Sequence, residues 1–193
     1  MTDIDRLKQD IVFSATLRGQ PLVFHSTWGL FSPRGIDAGT RLLLERIEVG
    51  AEDTTLDLGC GYGPIGIAVA RCSPAGVVHL ADKDVVAAAY ARKNVKANGL
   101  ANCQVHLSNA FDAVPDVAFD QVLANLPANV GAEMLTIILR DAKARLKPGG
   151  RLCVVTVNGL RKFIRRNFEE TFGNYAKLKQ GPHHTVALAV REA

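Results

Sequence analysis

The segment Asp57-Leu58-Gly59-Cys60-Gly61-Tyr62-Gly63 constrains this chain more than any other. Glycines repeated at every second residue belong where the backbone turns sharply or must lie against another group. A β-rich run, Thr54 to Leu58, precedes it, and Pro64 to Cys72 follows with apolar residues at three- and four-residue spacing. Strand, glycine turn and helix in that order is where a parallel α/β sheet binds an adenosine-containing cofactor. The spacing separates two ligand classes. A dinucleotide fingerprint counted from Gly59 requires glycine at 59, 61 and 64, but position 64 is Pro, and a pyrophosphate would have to sit on that crowded helix start. Glycine falls instead at 59, 61 and 63, with Asp57 two places before the first.

The rest of the chain continues the alternation. Further strands are expected at Val77 to Ala81, Gln104 to Ser108, Asp120 to Ala124 and Arg151 to Val157, with a final pair near Tyr175 to Lys179 and Thr185 to Val190. Helices are expected at Val85 to Ala97, Gly131 to Leu146 and Leu160 to Phe172. Asn98-Gly99 and Lys147-Pro148-Gly149-Gly150 supply turns between helix and strand. Gly181-Pro182 leaves room only for a hairpin between the last two strands, which puts an antiparallel edge on an otherwise parallel sheet. Ahead of this core, Ile11 to Thr27 reads as a small β-hairpin bent at Arg18-Gly19-Gln20-Pro21, followed by a short helix from Ala38 to Ile47. The expected fold is α/β, a Rossmann-like, seven-stranded, mostly parallel sheet with helices on both faces. Residues 1–193 are expected to form a single domain, with 1–36 an N-terminal extension and 37–193 the core.

Composition narrows the setting. The chain has 193 residues, 48% of them hydrophobic and 22% charged, enough apolar material for a buried core and too much for a long disordered tail. A net charge of +4 suits an anionic partner without identifying one. Cys60, Cys72, Cys103 and Cys153 are scattered and lack C-x-x-C pairing, which points to a reduced, cytoplasmic protein. Met1 to Asp10 has no secretory apolar stretch, and no apolar run approaches the ~20 residues of a membrane helix. His183-His184 carries no metal signal, because neighbours on a strand face opposite ways and no thiolate or carboxylate accompanies them; no metal site is expected.

The pattern D-x-G-x-G-x-G resembles motif I of class I methyltransferases, which implies S-adenosylmethionine as cofactor, a sulfonium bearing a cationic amino group and no phosphate. Asp57, Gly59, Cys60, Gly61, Tyr62 and Gly63 would then hold it. Asp82, ending the second strand, would accept both ribose hydroxyls, with Lys83 beside it, and Asn109 and Ala110 after the third strand would meet the adenine. The block Gly29 to Leu44 is similar to the G-x-F-S…D-x-G-T/S…L-L signature of the "methyltransferase small" family, which includes ribosomal RNA guanine-N2 methyltransferases and compact archaeal relatives. On that likeness Phe31, Gly39 and Thr40 line the cofactor pocket. Asp37 within it reads as a helix N-cap.

The fourth strand ends in Asn125-Leu126-Pro127-Ala128-Asn129-Val130-Gly131, which resembles the family's catalytic N-P-P-aromatic motif at Asn125 and Pro127. The resemblance implies that the Asn125 carboxamide oxygen and the Leu126 carbonyl accept the protons of a planar amino group and aim its nitrogen at the methyl, and that Asn125 also belongs to the cofactor-binding residues. Leu126 stands where the family has proline, loosening the backbone, and Ala128 removes the aromatic on which a base would stack, leaving Trp28, Phe31 or Phe111 to substitute. Trp28 is expected to be buried as a core aromatic. Arg161, Lys162, Arg165 and Arg166, with Lys177 and Lys179, read as a solvated helix face that can also track phosphates. The implied function is methyl transfer to an exocyclic amino group of RNA, guanine N2 of ribosomal RNA, by a monomer or homodimer. Protein glutamine or small-molecule amine methylation and a non-catalytic cofactor- or RNA-binding module remain alternatives.

Overall fold

The computed structural model of the chain describes residues 2–128 and 131–192. Asn129 and Val130 of the N-P-P-like stretch therefore lie outside the described residues. The core elements follow the expected alternation: strand β3 (Thr54–Leu58), helix α3 (Pro64–Cys72), β4 (Val77–Asp82), α4 (Val85–Ala97), β5 (Cys103–Leu107), β6 (Phe119–Asn125), α5 (Ala132–Arg145), β7 (Leu146–Val157), α6 (Arg161–Phe172), β8 (Ala176–Gln180) and β9 (His184–Val190). Ahead of them come α1 (Asp3–Leu7), a hairpin of β1 (Ile11–Leu17) and β2 (Gln20–Ser26), and α2 (Ala38–Arg46). Helix α1 is absent from the sequence reading. Its five residues are too few to show a period, and it is marked only by a capping box between Thr2 and Asp5.

The seven-stranded sheet has the order β5-β4-β3-β6-β7-β9-β8. β3 pairs in parallel with both β4 and β6, so the strand order reverses there, and a crevice opens beyond the carboxyl ends of β3 and β6. β9 runs antiparallel to both β7 and β8. The strand running against the sheet is thus the penultimate one, and the edge strand β8 again follows the parallel direction. The expected turn at Lys147 to Gly150 is instead a bulge inside β7, where pairing with β6 jumps from Phe119↔Leu146 to Gln121↔Arg151 and Gly149 takes φ +78°.

Alternation along the strands splits the core in two. Leu56 and Leu58 of β3 join Leu135, Leu139, Ile164 and Phe168 of α5 and α6 on one face. Leu80, Leu123 and Val155 face the other way, under Leu43 and Ile67 of α2 and α3 and under Phe24 of the hairpin. The hairpin turn Arg18-Gly19 has both residues at positive φ, as a tight two-residue turn requires. Its free edge is covered by side chains. Asn98, the C-cap of α4, exchanges two bonds with the Val23 backbone, at 3.0 and 2.8 Å, and Asn94 does the same with His25, at 2.7 and 2.8 Å. Asn94 also donates to the Tyr62 carbonyl at 2.9 Å, tying hairpin, helix and glycine loop together. No helix among the described residues is long and apolar enough to cross a membrane.

Candidate active site

A cavity of about 800 Å³ occupies the crevice between β3 and β6, a volume ample for a nucleoside-sized ligand. The glycine loop forms its floor. The Gly59 and Cys60 amides both donate to the Ala81 carbonyl, at 2.8 and 3.0 Å, which folds the loop over the end of β4. Gly59, Gly61 and Gly63 have φ of +72°, +57° and +95°. A Cβ on Gly59 or Gly61 would meet no protein atom within 4 Å, so the space above both backbones is open to a ligand.

Asp57 lies just behind this floor, fully buried on the α3 side of β3. Its Oδ2 accepts the Gly66 amide at 2.7 Å, and Oδ1 has no partner among the described residues. Gly66 is needed for that approach, since a Cβ there would lie 3.1 Å from the carboxylate and 2.7 Å from Leu80. Burial, opposed by the Gly66 bond and reinforced by the Asp82 charge, pushes the Asp57 carboxyl up to about 7. A buried carboxylate with one oxygen unanswered suits a cationic group bound above the loop.

Asp82 lines the cavity at the end of β4. Its oxygens already accept the Gly61 and Asp84 amides, at 2.8 and 2.9 Å, which fixes the carboxylate while each oxygen keeps a lone pair for a ligand hydroxyl. Lys83, Asn109 and Ala110 also line the wall. Asn109 donates to Asp112 at 3.2 Å, and Ala110 takes the left-handed φ of +49°, held by a 2.9 Å bond from Ser108 Oγ to its carbonyl. Of the expected cofactor residues, Phe31, Thr40, Gly59, Cys60, Gly61, Tyr62 and Asn125 face the cavity too, whereas Gly39, Gly63 and Asp57 stand behind its surface.

Asn125, Leu126 and Pro127 line the cavity as well. Asn125 Nδ2 donates to Asp37 Oδ2 at 2.9 Å and to Thr40 Oγ1 at 3.1 Å. Asp37 is the N-cap of α2, accepting the Thr40 amide at 3.1 Å, so the cap seen in the sequence also reaches the catalytic candidate. The Leu126 departure is compensated. Its amide donates to the Val155 carbonyl at 2.9 Å, a bond proline could not make, and its side chain is buried in the apolar cluster under α5. Ala128 is exposed at the cavity wall, and among the described residues nothing comparable compensates there.

The aromatic candidates separate clearly. Phe111 is buried with the Arg145 guanidinium over its ring, so it is withdrawn from the cavity. Trp28, expected in the core, is instead 47% exposed with Arg34 over its ring, because the segment between the hairpin and α2 has little chain to pack against it. Phe31 is 69% exposed on the cavity rim. Its loop is held by the Tyr62 hydroxyl, which lies 3.2 and 3.1 Å from the Ser32 and Gly35 carbonyls and links rim to glycine floor. Sequence reading also missed His184, at the start of β9, which joins Asp37 and Thr40 in the wall. Only strand register decides which of two adjacent histidines faces inward. The α6 basic cluster is partly neutralised, with Arg165 and Arg166 paired to Glu169 and Glu170 one turn on.

Comparison with known proteins places these features among relatives. The profile of the Methyltransferase small domain family matches residues 21–187. The uncharacterized protein YbxB of Bacillus subtilis is 32% identical over 74% of this chain and 72% of its own length. Ribosomal RNA small subunit methyltransferase C of Pseudomonas syringae pv. syringae is 38% identical over 93% of this chain and 54% of its own. Among solved structures, the T. thermophilus 16S rRNA N2 G1207 methyltransferase in complex with AdoMet and guanosine superposes with a TM-score of 0.84. It is 30% identical, covering 94% of this chain and 50% of that one. The chain thus spans about half the length of the ribosomal RNA methyltransferases it matches.

Proposed function

This chain belongs to the methyltransferase small domain family, and from that premise we propose that it transfers the methyl group of S-adenosylmethionine to an exocyclic amino group of ribosomal RNA, guanine N2 being the specific target. The observation that carries this reading is that Asn125 lines the same cavity as the glycine floor and Asp82. When bound, the cofactor supplies the electrophilic methyl. The chain's own residues do the rest: Gly59 and Gly61 leave room for it beside the loop backbone, Asp82 receives its ribose hydroxyls, and the charge of Asp57, just behind the floor, favours its ammonium. Asn125 Oδ1 and the Leu126 carbonyl receive the two N–H groups of the acceptor and turn its nitrogen toward the methyl. Residues 37–193 serve as the catalytic core and 1–36 as an extension bracing the glycine loop.

With Ala128 bare, Phe31 supplies the stacking surface for the acceptor base. Its exposure and its position on the rim support that role, and the ribosomal RNA methylation named for two relatives supports the acceptor class. Replacing Phe31 with Ala is expected to raise the acceptor KM by about 10- to 100-fold, more than it weakens cofactor binding, in line with ~1–3 kcal/mol per stacked base. An unchanged acceptor KM would remove Phe31 from the site. The acceptor itself is tested by incubating the protein with tritiated S-adenosylmethionine and separate pools of unmodified ribosomal RNA, transfer RNA and protein, then digesting the RNA to nucleosides. Label in N2-methylguanosine from ribosomal RNA is expected. Label confined to transfer RNA or protein would overturn the acceptor assignment.

A further inference from the structure

We propose that Asp37 is a positioning residue whose carboxylate fixes which end of the Asn125 amide faces the cavity. This rests on the reading of Asn125 as the acceptor-orienting group. A carboxylate oxygen can only accept, so the atom 2.9 Å from Asp37 Oδ2 must be the Asn125 nitrogen. The second N–H of that nitrogen goes to Thr40 Oγ1 at 3.1 Å. Both donors are consumed, and among the described residues none donates to Asn125 Oδ1, whose lone pairs remain for a ligand. Rotating the amide by half a turn would set its oxygen against the carboxylate and point two donors into the cavity. The wall would then receive a lone pair and repel an amino group.

The carboxylate is itself fixed. The same Oδ2 accepts the Thr40 amide at 3.1 Å as the N-cap of α2. Gly39 makes the arrangement possible, because a Cβ there would lie 2.9 Å from Asp37 Oδ2 and 2.9 Å from the His184 ring. Residues 37, 39 and 40 of one helix start therefore set the polarity of a side chain on a strand 85 to 88 residues away. The class selected is an acceptor presenting two N–H groups, a planar primary amino group.

Two variants test this without removing Asn125. Asp37→Ser keeps a capping hydroxyl for α2 but is too short to hold the Asn125 nitrogen. Gly39→Ala keeps the charge and displaces it. The primary readout is the 15N side-chain amide of Asn125, assigned by its loss in Asn125→Ala. Its two protons are expected to exchange slowly in the parent and at least about tenfold faster in both variants. With unmodified ribosomal RNA, Asp37→Ser is expected to lower kcat by about 10- to 100-fold, as small misplacements do. Cofactor Kd should stay within about twofold, and no further loss should appear in the Asn125→Ala background. Unchanged amide exchange, or losses that multiply across the two sites, would overturn the proposal. A parent that labels no RNA refutes the acceptor reading instead, and the amide exchange then decides Asp37 by itself.

Discussion

Asp57 is held at a cost that a bound cation would relieve. Its carboxyl is pushed from 3.8 up to about 7, chiefly by burial, so the protonated form is favoured in the fold. For a folded value above the unfolded one, the stability contributed is full below about pH 4 and is lost as pH rises through 7. Asp57→Asn should therefore melt higher than the parent at pH 8 without ligand, with the difference shrinking as pH falls from 7 toward 4. The same variant should bind S-adenosylmethionine at least about tenfold more weakly, through loss of a charged partner. A variant that melts lower at pH 8 would show that the carboxylate is satisfied in some other way. Local spacing made Asp57, Gly59, Gly61 and Asp82 legible in the sequence, because a strand end, a glycine turn and the next strand end are adjacent elements. Asp37 was legible only as a helix cap. Its bond to Asn125 spans 88 residues and depends on how α2 seats on the sheet.

At the scale of elements, strand and helix positions were readable to within a few residues from periodicity, and the antiparallel C-terminal hairpin from the short Gly-Pro bend. The insertion of β9 between β7 and β8 was not readable, since both hairpin orders bury the same alternating residues. The bulge in β7 was hidden for a related reason: Lys-Pro-Gly-Gly reads equally as a turn between elements and as an irregularity within one. The docking of the N-terminal hairpin rests on side-chain amides with no sequence signature. Asn94 is fully buried and makes three bonds to backbone groups of His25 and Tyr62. Asn94→Ala leaves those groups unpaired and is expected to cost about 3 kcal/mol or more in urea unfolding, at ~1–3 kcal/mol for each unsatisfied buried group. Because Tyr62 belongs to the glycine loop, cofactor affinity should fall with it. A loss below about 0.5 kcal/mol, the scale of a neutral surface change, would mean that the hairpin is not held by this residue.

For the molecule as a whole, the topology supplies the site and also a pH limit. His79 of β4 is buried against Phe119, with Nδ1 3.0 Å from His106 Nε2 on β5. Burial, then the neighbouring His106 and Arg145, pushes His79 down from 6.5 to about 4. The unfolded chain binds more protons in that window, so the stability His79 contributes is present above pH 6.5 and lost as pH falls toward 4. Since Asp57 slopes the other way, the test is the parent minus a His79→Gln variant. That difference should shrink from pH 7 to pH 4, and a constant difference would refute the effect. The larger consequence of the topology is that the reversal of strand order between β3 and β6 brings the glycine floor and the Asn125 amide into one crevice. The most direct test of that arrangement is single-turnover transfer of tritiated methyl from saturating S-adenosylmethionine to unmodified ribosomal RNA, comparing the parent with Asn125→Ala. Transfer by the parent, reduced at least about 100-fold in a variant that still binds cofactor, is the expected result. Equal transfer by the two proteins would contradict methyl transfer through Asn125.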